Sequence, residues 1–322
     1  MEGINSTNMN AMAKVEQITI PSDKRVICVS DIHGNLDLFK RLLDKVNFSD
    51  EDILVVLGDF YSKGKQNIET FKFVIDLCQK PDSNVYAVRG NCDFIESYMD
   101  DSEKEWIENL PHIIETQDYI FVHAGLTSNK LDKLNEQEAQ TCMKNDAFME
   151  QGLSFDKYIV TGHWPTVNYC HRIPCCNPIV DEKNYIISID GGMSIKADGQ
   201  LNAFIIFNDT FSFDFVDNLP VYRAEKAQSA RGGELNITWN DRFIEPVEKE
   251  DEFGIYRHIQ SGMTLSLPNS VVWTDYDGRL CDGTFGTDYY VQVDVGDVIS
   301  VIKKFGNKIF AKKGGVMGWV EI

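Results

Sequence analysis

Apolar residues fall in short unbroken runs through the first 190 positions: 25–30 (RVICVS), 53–57 (ILVVL), 84–88 (NVYAV), 118–122 (DYIFV), 157–161 (KYIVT) and 185–189 (YIISI). Runs this short and continuous predict strands covered on both faces. Between the first of them the period changes. Leu36, Leu38, Phe39, Leu42, Leu43 and Val46 recur at helical spacing, as do Ile68, Phe71, Phe73, Val74 and Leu77. Segment 103–110 reads as helix up to Pro111, and 132–149 as a further helical region. Strand and helix in alternation predict a layered α/β sheet.

Around Asn218 the pattern changes again. Residues 222–252 are polar, with a turn at Arg231-Gly232-Gly233, and no helical period comes after them. Short alternating runs at 271–273, 289–295, 298–302, 308–311 and 318–322, punctuated by Gly and Asp, predict a small all-β module. The expected organisation is a first domain at 14–222, a linker or irregular extension at 223–255, and a small β-barrel at 256–322. Residues 1–13 read as a flexible tail.

Composition narrows the class. Of 322 residues, 43% are hydrophobic and 25% charged, which is ordinary for a globular chain and excludes disorder as its main state. No run of eighteen apolar residues predicts a membrane helix. The first residues carry neither a basic start nor an apolar run, so no secretory signal is read and a cytoplasmic location is expected. The net charge of −19 argues against nucleic acid and anionic membranes as partners. Residues 251–322 hold 7 Lys+Arg against 9 Asp+Glu, so almost all of the negative charge lies in the first 250 residues. An anion-binding site there needs local positive charge, which metal ions would supply. The eight cysteines read as free thiols. The cluster Cys170-His171…Cys175-Cys176 lacks the paired spacing of zinc knuckles; a loop with buried thiols is preferred to a zinc site.

The chemistry is carried by the residues just past each strand. Ser30-Asp31-Ile32-His33-Gly34 lies past the first, Gly58-Asp59 past the second, Arg89-Gly90-Asn91-Cys92-Asp93 past the third, His123-Ala124-Gly125 past the fourth and Gly162-His163 past the fifth. Ligands of open α/β sheets sit beyond the carboxyl ends of strands. Asp31, His33, Asp59, Asn91, His123 and His163 would converge there, using three of the chain's six histidines. Oxygen and imidazole donors suit Mn, Fe or Zn. One such residue after a strand is ordinarily a cap or turn residue; five in succession point to a site. Two cations about 3.5–4 Å apart, bridged by one carboxylate, would clamp a phosphoryl group from both sides. Arg89 would grip phosphate bidentately and Lys63 as a point charge; the plain alternatives are a salt bridge for Arg89 and a solvated loop for Lys63. His112 reads as a packed or exposed residue, His171 as a surface loop. Asp93 reads as a helix cap in preference to a support for the site, and Asp190 as support for a turn.

In this order SDIHG, GDFYSKG, RGNCD, FVHAGL and TGHWP resemble the calcineurin-like metallophosphoesterases over about 24–217. HAGL, GHWP and IDGGM (189–193) look most like the bacterial phosphoprotein-phosphatase branch, the serine/threonine phosphatases. The resemblance implies a four-layer α/β/β/α sandwich and two divalent or transition metal ions. Asp31 and His33 would bind the first metal, Asp59 would bridge, and Asn91, His123 and His163 would bind the second; Asn91 also counts as a substrate contact. Metal-activated water would attack phosphorus in line, with no phosphoenzyme. The family's phosphatases read GDxxDRG and GNHE. Here Ser62 and Lys63 replace the Asp and Arg, and Cys92 replaces the general-acid His, leaving Cys92 and Asp93 as the candidate catalytic pair. GNCD forms occur in the small phosphodiesterase branch. The stretch from Gly296-Asp297-Val298 to Gly318-Trp319-Val320 resembles the end of a bacterial Src-homology-three-like barrel, for which Trp273, Tyr276 and Tyr290 are either docking aromatics or core.

The expected function is a metal-dependent phosphomonoesterase acting on phosphoprotein or small phosphorylated molecules. The alternatives are a phosphodiesterase or dinucleoside polyphosphate hydrolase, and a low-turnover metal- and phosphate-binding regulatory protein. A protein partner would dock on the C-terminal barrel.

Overall fold

The computed structural model describes residues 11–249 and 251–322. Most of the expected tail lies outside them. Its last three residues are tied down: Ala13 N–H donates to Gln137 O, and Ala139 N–H to Ala11 O. The chain divides into two compact units. The first comprises residues up to 165, 178–195 and 201–216; the second comprises 166–177, 196–200 and 217–322.

The first unit holds two sheets, and all six expected strands are in them. One sheet has the order Thr210–Val216, Leu201–Phe207, Val26–Val29, Ile53–Val56, Val85–Ala87. Its last three strands are parallel, so their carboxyl ends lie side by side. The other has the order Val15–Gln17, Ile113–Glu115, Tyr119–Val122, Tyr158–Thr161, Ile186–Ser188, Ile179–Asp181. Tyr119–Val122, Tyr158–Thr161 and Ile186–Ser188 are parallel.

The unbroken apolar runs have a plain cause. Alternate residues of each strand enter different cores. Cys28, Val55 and Leu57 of the first sheet pack with Ile114, Phe121, Val160 and Ile187 of the second. Their neighbours Ile27, Val29, Leu54 and Val56 pack against Phe39 and Leu42 of helix Leu36–Lys45 and Phe71 and Val74 of helix Asn67–Cys78. Ile113, Ile120, Val122 and Ile159 pack with Leu134, Cys142 and Phe148. A third helix, Asp101–Asn109, opens on a capping box in which Asp100 and Glu103 each accept the other's backbone N–H.

The helical region expected at 132–149 is broken. It holds a 3-10 turn at Leu131–Glu136, a short helix Ala139–Met143 and a second 3-10 turn at Phe148–Glu150. The buried Gln137 amide accepts from Thr127 and Ser128 N–H, which holds it out of any helix, and Ala147 takes a left-handed φ of 55°.

The second unit contains a four-stranded antiparallel sheet in the order Val221–Arg223, Val298–Phe305, Lys308–Lys313, Val316–Glu321. It also has a three-stranded sheet, Ile244–Lys249, Phe253–His258, Thr264–Pro268, and a ribbon of Trp273–Thr274 with Leu280–Cys281. The expected barrel is not there: no closed barrel forms among the described residues. The run 289–295 meets its neighbours only through isolated bridges, Tyr290 with Arg231 and Trp319, and Val293 with Gln228, so the four-stranded sheet stays open. The stretch 223–255 is ordered in part, placing Leu235, Ile237 and Ile244 in a core with Tyr256 and Leu267. Tyr290 packs on a core, Trp273 stacks on Trp239, and Tyr276 is fully exposed.

His112 is buried, as a packed histidine. Its Nδ1 accepts the Lys14 N–H at 2.9 Å, and burial with the nearby Arg89 and Lys14 charges lowers its pKa to about 4. The unfolded chain takes up this proton near pH 6.5 and the folded chain resists it. Stability from the neutral ring is therefore full above about pH 6.5 and falls as pH drops toward 4, by up to about 3 kcal/mol. Urea unfolding from pH 7 to 4 should show a shallower loss for His112→Gln, whose amide oxygen still accepts from Lys14. Equal slopes would show that the ring is protonated in the fold.

Candidate metal centre

The carboxyl ends of the parallel strands place the candidate residues together. Three hydrogen bonds zip the loop after Val26–Val29 to the loop after Ile53–Val56: Asp31 N–H to Gly58 O (3.1 Å), His33 N–H to Asp59 O (2.9 Å) and Gly34 N–H to Phe60 O (3.0 Å). Asp31, His33, Asp59 and His163 all have left-handed φ, between 46° and 65°. This conformation costs a non-glycine residue about 1–2 kcal/mol, and strain of this kind gathers at functional sites. Two glycines permit the crowding. A Cβ on Gly90 would lie 2.2 Å from Asp59 Oδ1, and one on Gly162 would lie 2.5 Å from Asp31 Oδ2.

Asp31, His33, Asp59 and His123 are essentially inaccessible to solvent. His123 Nδ1 donates to Leu57 O at 2.6 Å. Its Nε2 then faces acceptors, Asn91 Oδ1 at 3.2 Å and Asp59 Oδ1 at 3.5 Å. His33 Nε2 stands 3.6 Å from Asp31 Oδ1 and 3.7 Å from Asp59 Oδ2, and neither His33 Nε2 nor Asp31 Oδ1 has a hydrogen-bond partner. Buried acceptors facing one another are unstable without a cation between them. The ligand atoms form two groups, Asp31–Asp59–His123 and His33–Asp59–Cys92, each within 4.8 Å. Asp59 belongs to both, as a bridging carboxylate would. The donor set and its orphaned atoms fit two metal ions.

Burial lowers the pKa of His33 against the pull of Asp31 and Asp59. Burial would raise Asp59, but His123 and His33 outweigh it and hold the carboxyl below its ordinary value. His163 stands with its ring 5.2 Å from that of His123, outside both groups. Its N–H donates to Asp31 Oδ2 at 2.9 Å, and its Nε2 meets Asp146 Oδ1 at 2.8 Å.

Asp93 is no helix cap. Its carboxylate accepts from Asp59 N–H and Gly90 N–H at 2.8 Å and from Tyr61 N–H at 3.3 Å, clamping the metal loops. Burial and the Asp59 charge push its pKa up to about 7. The Cys92 N–H donates to Asp59 Oδ1 at 2.7 Å, and burial beside Asp59 pushes its thiol up to about 12. Lys63 lies beside that thiol, and the Cys92, Asp59 and Asp31 charges raise its pKa against burial. Arg89 is half-buried, its pKa lowered by burial against the Asp93 and Glu108 charges. His171 lies in the second unit, 3.8 Å from Asp241. Cys170, His171, Cys175 and Cys176 form no metal-ligand group among the described residues.

Sequence reasoning missed Asp146, which lies in no motif. Asp190 supports the turn as expected, its Oδ1 accepting Gly192 N–H at 2.7 Å. The other oxygen is buried and unpartnered, and burial and the Asp31 charge raise the carboxyl.

A family profile described as "Calcineurin-like phosphoesterase" matches residues 24–188, just over half of the chain. The chain belongs to this family of hydrolases, which use a dinuclear divalent metal centre. It is 28% identical to serine/threonine-protein phosphatase 2 of Salmonella typhimurium over 38% of this chain and 68% of that one. It is 26% identical to a symmetrical bis(5'-nucleosyl)-tetraphosphatase of Xanthomonas euvesicatoria pv. vesicatoria, over 36% of this chain and 43% of that protein. It therefore spans less than half the length of that relative. A solved structure assigned as a diadenosine tetraphosphatase aligns at a TM-score of 0.47 and 20% identity, over 64% of this chain and 99% of that one. Among the described residues no helix is long and apolar enough to cross a membrane.

Gly90→Ala should push the Asp59 carboxylate aside and weaken metal uptake about 10–100-fold, the range seen when supports of metal ligands are disturbed. Metal content after equilibrium dialysis, with circular dichroism to confirm folding, measures this. Undiminished uptake would show that Asp59 can yield without leaving its place.

Proposed function

We propose that this chain is a metal-dependent phosphomonoesterase acting on phosphoprotein or small phosphorylated molecules. The observation that carries the reading is the buried Asp59, shared by two groups of donors whose free atoms have no protein partner. Asp31, His33, Asp59, Asn91, His123 and His163 would hold the two metals, with Mn, Fe or Zn suited to such donors. When bound, the metals supply Lewis-acid polarisation of the phosphoryl group and lower the pKa of the attacking water. The chain's own part is to bind and orient. Lys63 and Arg89 are the cations at hand for the phosphate. Asp93 fixes the loops by its three amide bonds, and the Cys92 N–H fixes one oxygen of Asp59.

A specific observation favours the second reading, a dinucleoside polyphosphate hydrolase or phosphodiesterase. A thiol pushed up to about 12 is a poor proton donor to an alkoxide, so substrates with good leaving groups suit the site better. Relatives named as a serine/threonine phosphatase and a bis(5'-nucleosyl)-tetraphosphatase stand on either side of this choice.

The proposal places catalysis in 14–222, on a four-layer α/β/β/α arrangement. Its support is the apolar core shared by the two sheets, with helices packed on the outer face of one. Residues 256–322 are assigned to docking a protein partner or modulating access. The eight thiols, none of them in a disulfide, support a reducing, cytoplasmic setting.

Chelator-stripped protein with added Mn²⁺ should cleave an aryl phosphomonoester in preference to the matching bis-aryl diester, and Asp59→Asn should abolish the activity. Preference for the diester would move the assignment to the second reading. Silence on both with two metals bound would leave a binding protein. Cys92→His should raise turnover of alkyl phosphates, whose leaving groups are poor, by about 10²-fold or more. No gain would show that a missing acid does not limit the rate.

A further inference from the structure

Two histidines of the site are backed by neutral carbonyls through Nδ1. His123 Nδ1 lies 2.6 Å from Leu57 O and His33 Nδ1 lies 3.4 Å from Tyr61 O, so each ring turns Nε2 toward the carboxylates. His163 is reversed. Its Nε2 meets the carboxylate of Asp146 at 2.8 Å. A carboxylate only accepts, so Nε2 carries the proton and Nδ1 keeps its lone pair. The backbone of His163 is held as well, by its N–H bond to Asp31 Oδ2 and its left-handed φ of 65°. Nδ1 is therefore the one ring atom free to act as a ligand.

The partner is held in place too. Asp146 precedes Ala147, with φ of 55°, and its carbonyl accepts from Gln151 Nε2 at 3.2 Å. Phe148 anchors this turn in a core with Leu126 and Phe155. The Asp146 side chain is 55% exposed, so its removal should leave the fold intact. A carboxylate behind a ligating imidazole fixes its tautomer and raises its basicity.

We propose that Asp146 is a positioning residue that locks His163 as an Nδ1 donor and strengthens one of two positions for a divalent transition metal. The proposal rests on the metal-centre reading above. The first test needs no metal. In uniformly ¹⁵N-labelled, chelator-stripped full-length protein, long-range ¹H–¹⁵N spectra should show His163 as the Nε2–H tautomer. Asp146→Ala should mix the tautomers, and Asp146→Asn, whose amide oxygen still accepts from Nε2–H, should keep the wild-type form. In Zn²⁺ titrations against a chromophoric chelator, Asp146→Ala should weaken one site about 10–100-fold and leave the other unchanged. Asp146→Asn should recover most of the loss, with thermal midpoints alike in all three proteins. An Nδ1–H tautomer in the wild type, or unchanged affinities in Asp146→Ala, would overturn the proposal. A wild type with the Nε2–H tautomer that takes up fewer than two metals would instead overturn the metal-centre reading and, with it, the ligand role assigned to His163.

Discussion

Everything in the first unit is arranged around one unfavourable fact: the carboxylates of Asp31 and Asp59 are buried side by side with two imidazole nitrogens. A single unpaired charge in such a place costs several kcal/mol, and two like charges cost more. The chain does not relieve this with a lysine bridge between them. It gives each carboxylate a backbone amide, Cys92 N–H to Asp59 and His163 N–H to Asp31, and leaves Asp31 Oδ1 and His33 Nε2 without a partner. Positive charge must balance the centre: the Asp59 and Asp31 charges raise the His123 pKa against burial, and metal ions would complete the balance. The strain of four left-handed residues and the two glycine contacts are costs of the same arrangement, offset by the cores on either face of the parallel strands.

Much of this was legible in the sequence because of those strands. A strand buried on both faces writes itself as an unbroken apolar run, and all six such runs are strands. Because the strands are parallel, the residues after each run are delivered to one edge, so the sequence alone gathers Asp31, Asp59, Asn91, His123 and His163. Asp146 could not. It stands seventeen positions before His163 in a segment with helical period, and its place is set by interruptions that propensity does not report: the buried Gln137 amide and the left-handed Ala147.

The second unit was read less well, for a different reason. Alternation identifies strands but not closure. The strands Val298–Phe305, Lys308–Lys313 and Val316–Glu321 lie near the expected runs, whereas the run 289–295 meets Arg231, Gln228 and Trp319 through isolated bridges. Nor can a sequence window reveal that 166–177 and 196–200 belong with the C-terminal residues. One buried cation hints at the cause. Lys312 reaches Asp217 at 3.5 Å and, 113 positions away in the chain, the carbonyl of Gly199 at 3.3 Å.

The departures around Cys92 bear on chemistry as much as the ligands do. Where a proton donor to the leaving group is expected, the chain offers a buried thiol that holds its proton up to about pH 12. The adjacent carboxylate cannot substitute, because both Asp93 oxygens are committed to backbone amides. Of the cations nearby, Lys63 lies beside the same thiol and is raised by the Cys92, Asp59 and Asp31 charges, so it gives up its proton reluctantly. On the proposed reading, metals in this site would polarise a phosphoryl group, while the residues around Cys92 would protonate a departing alkoxide poorly. Under that reading the pKa of the leaving group would govern substrate range as much as the shape of the pocket, and it is this property that separates a polyphosphate from a phosphoserine.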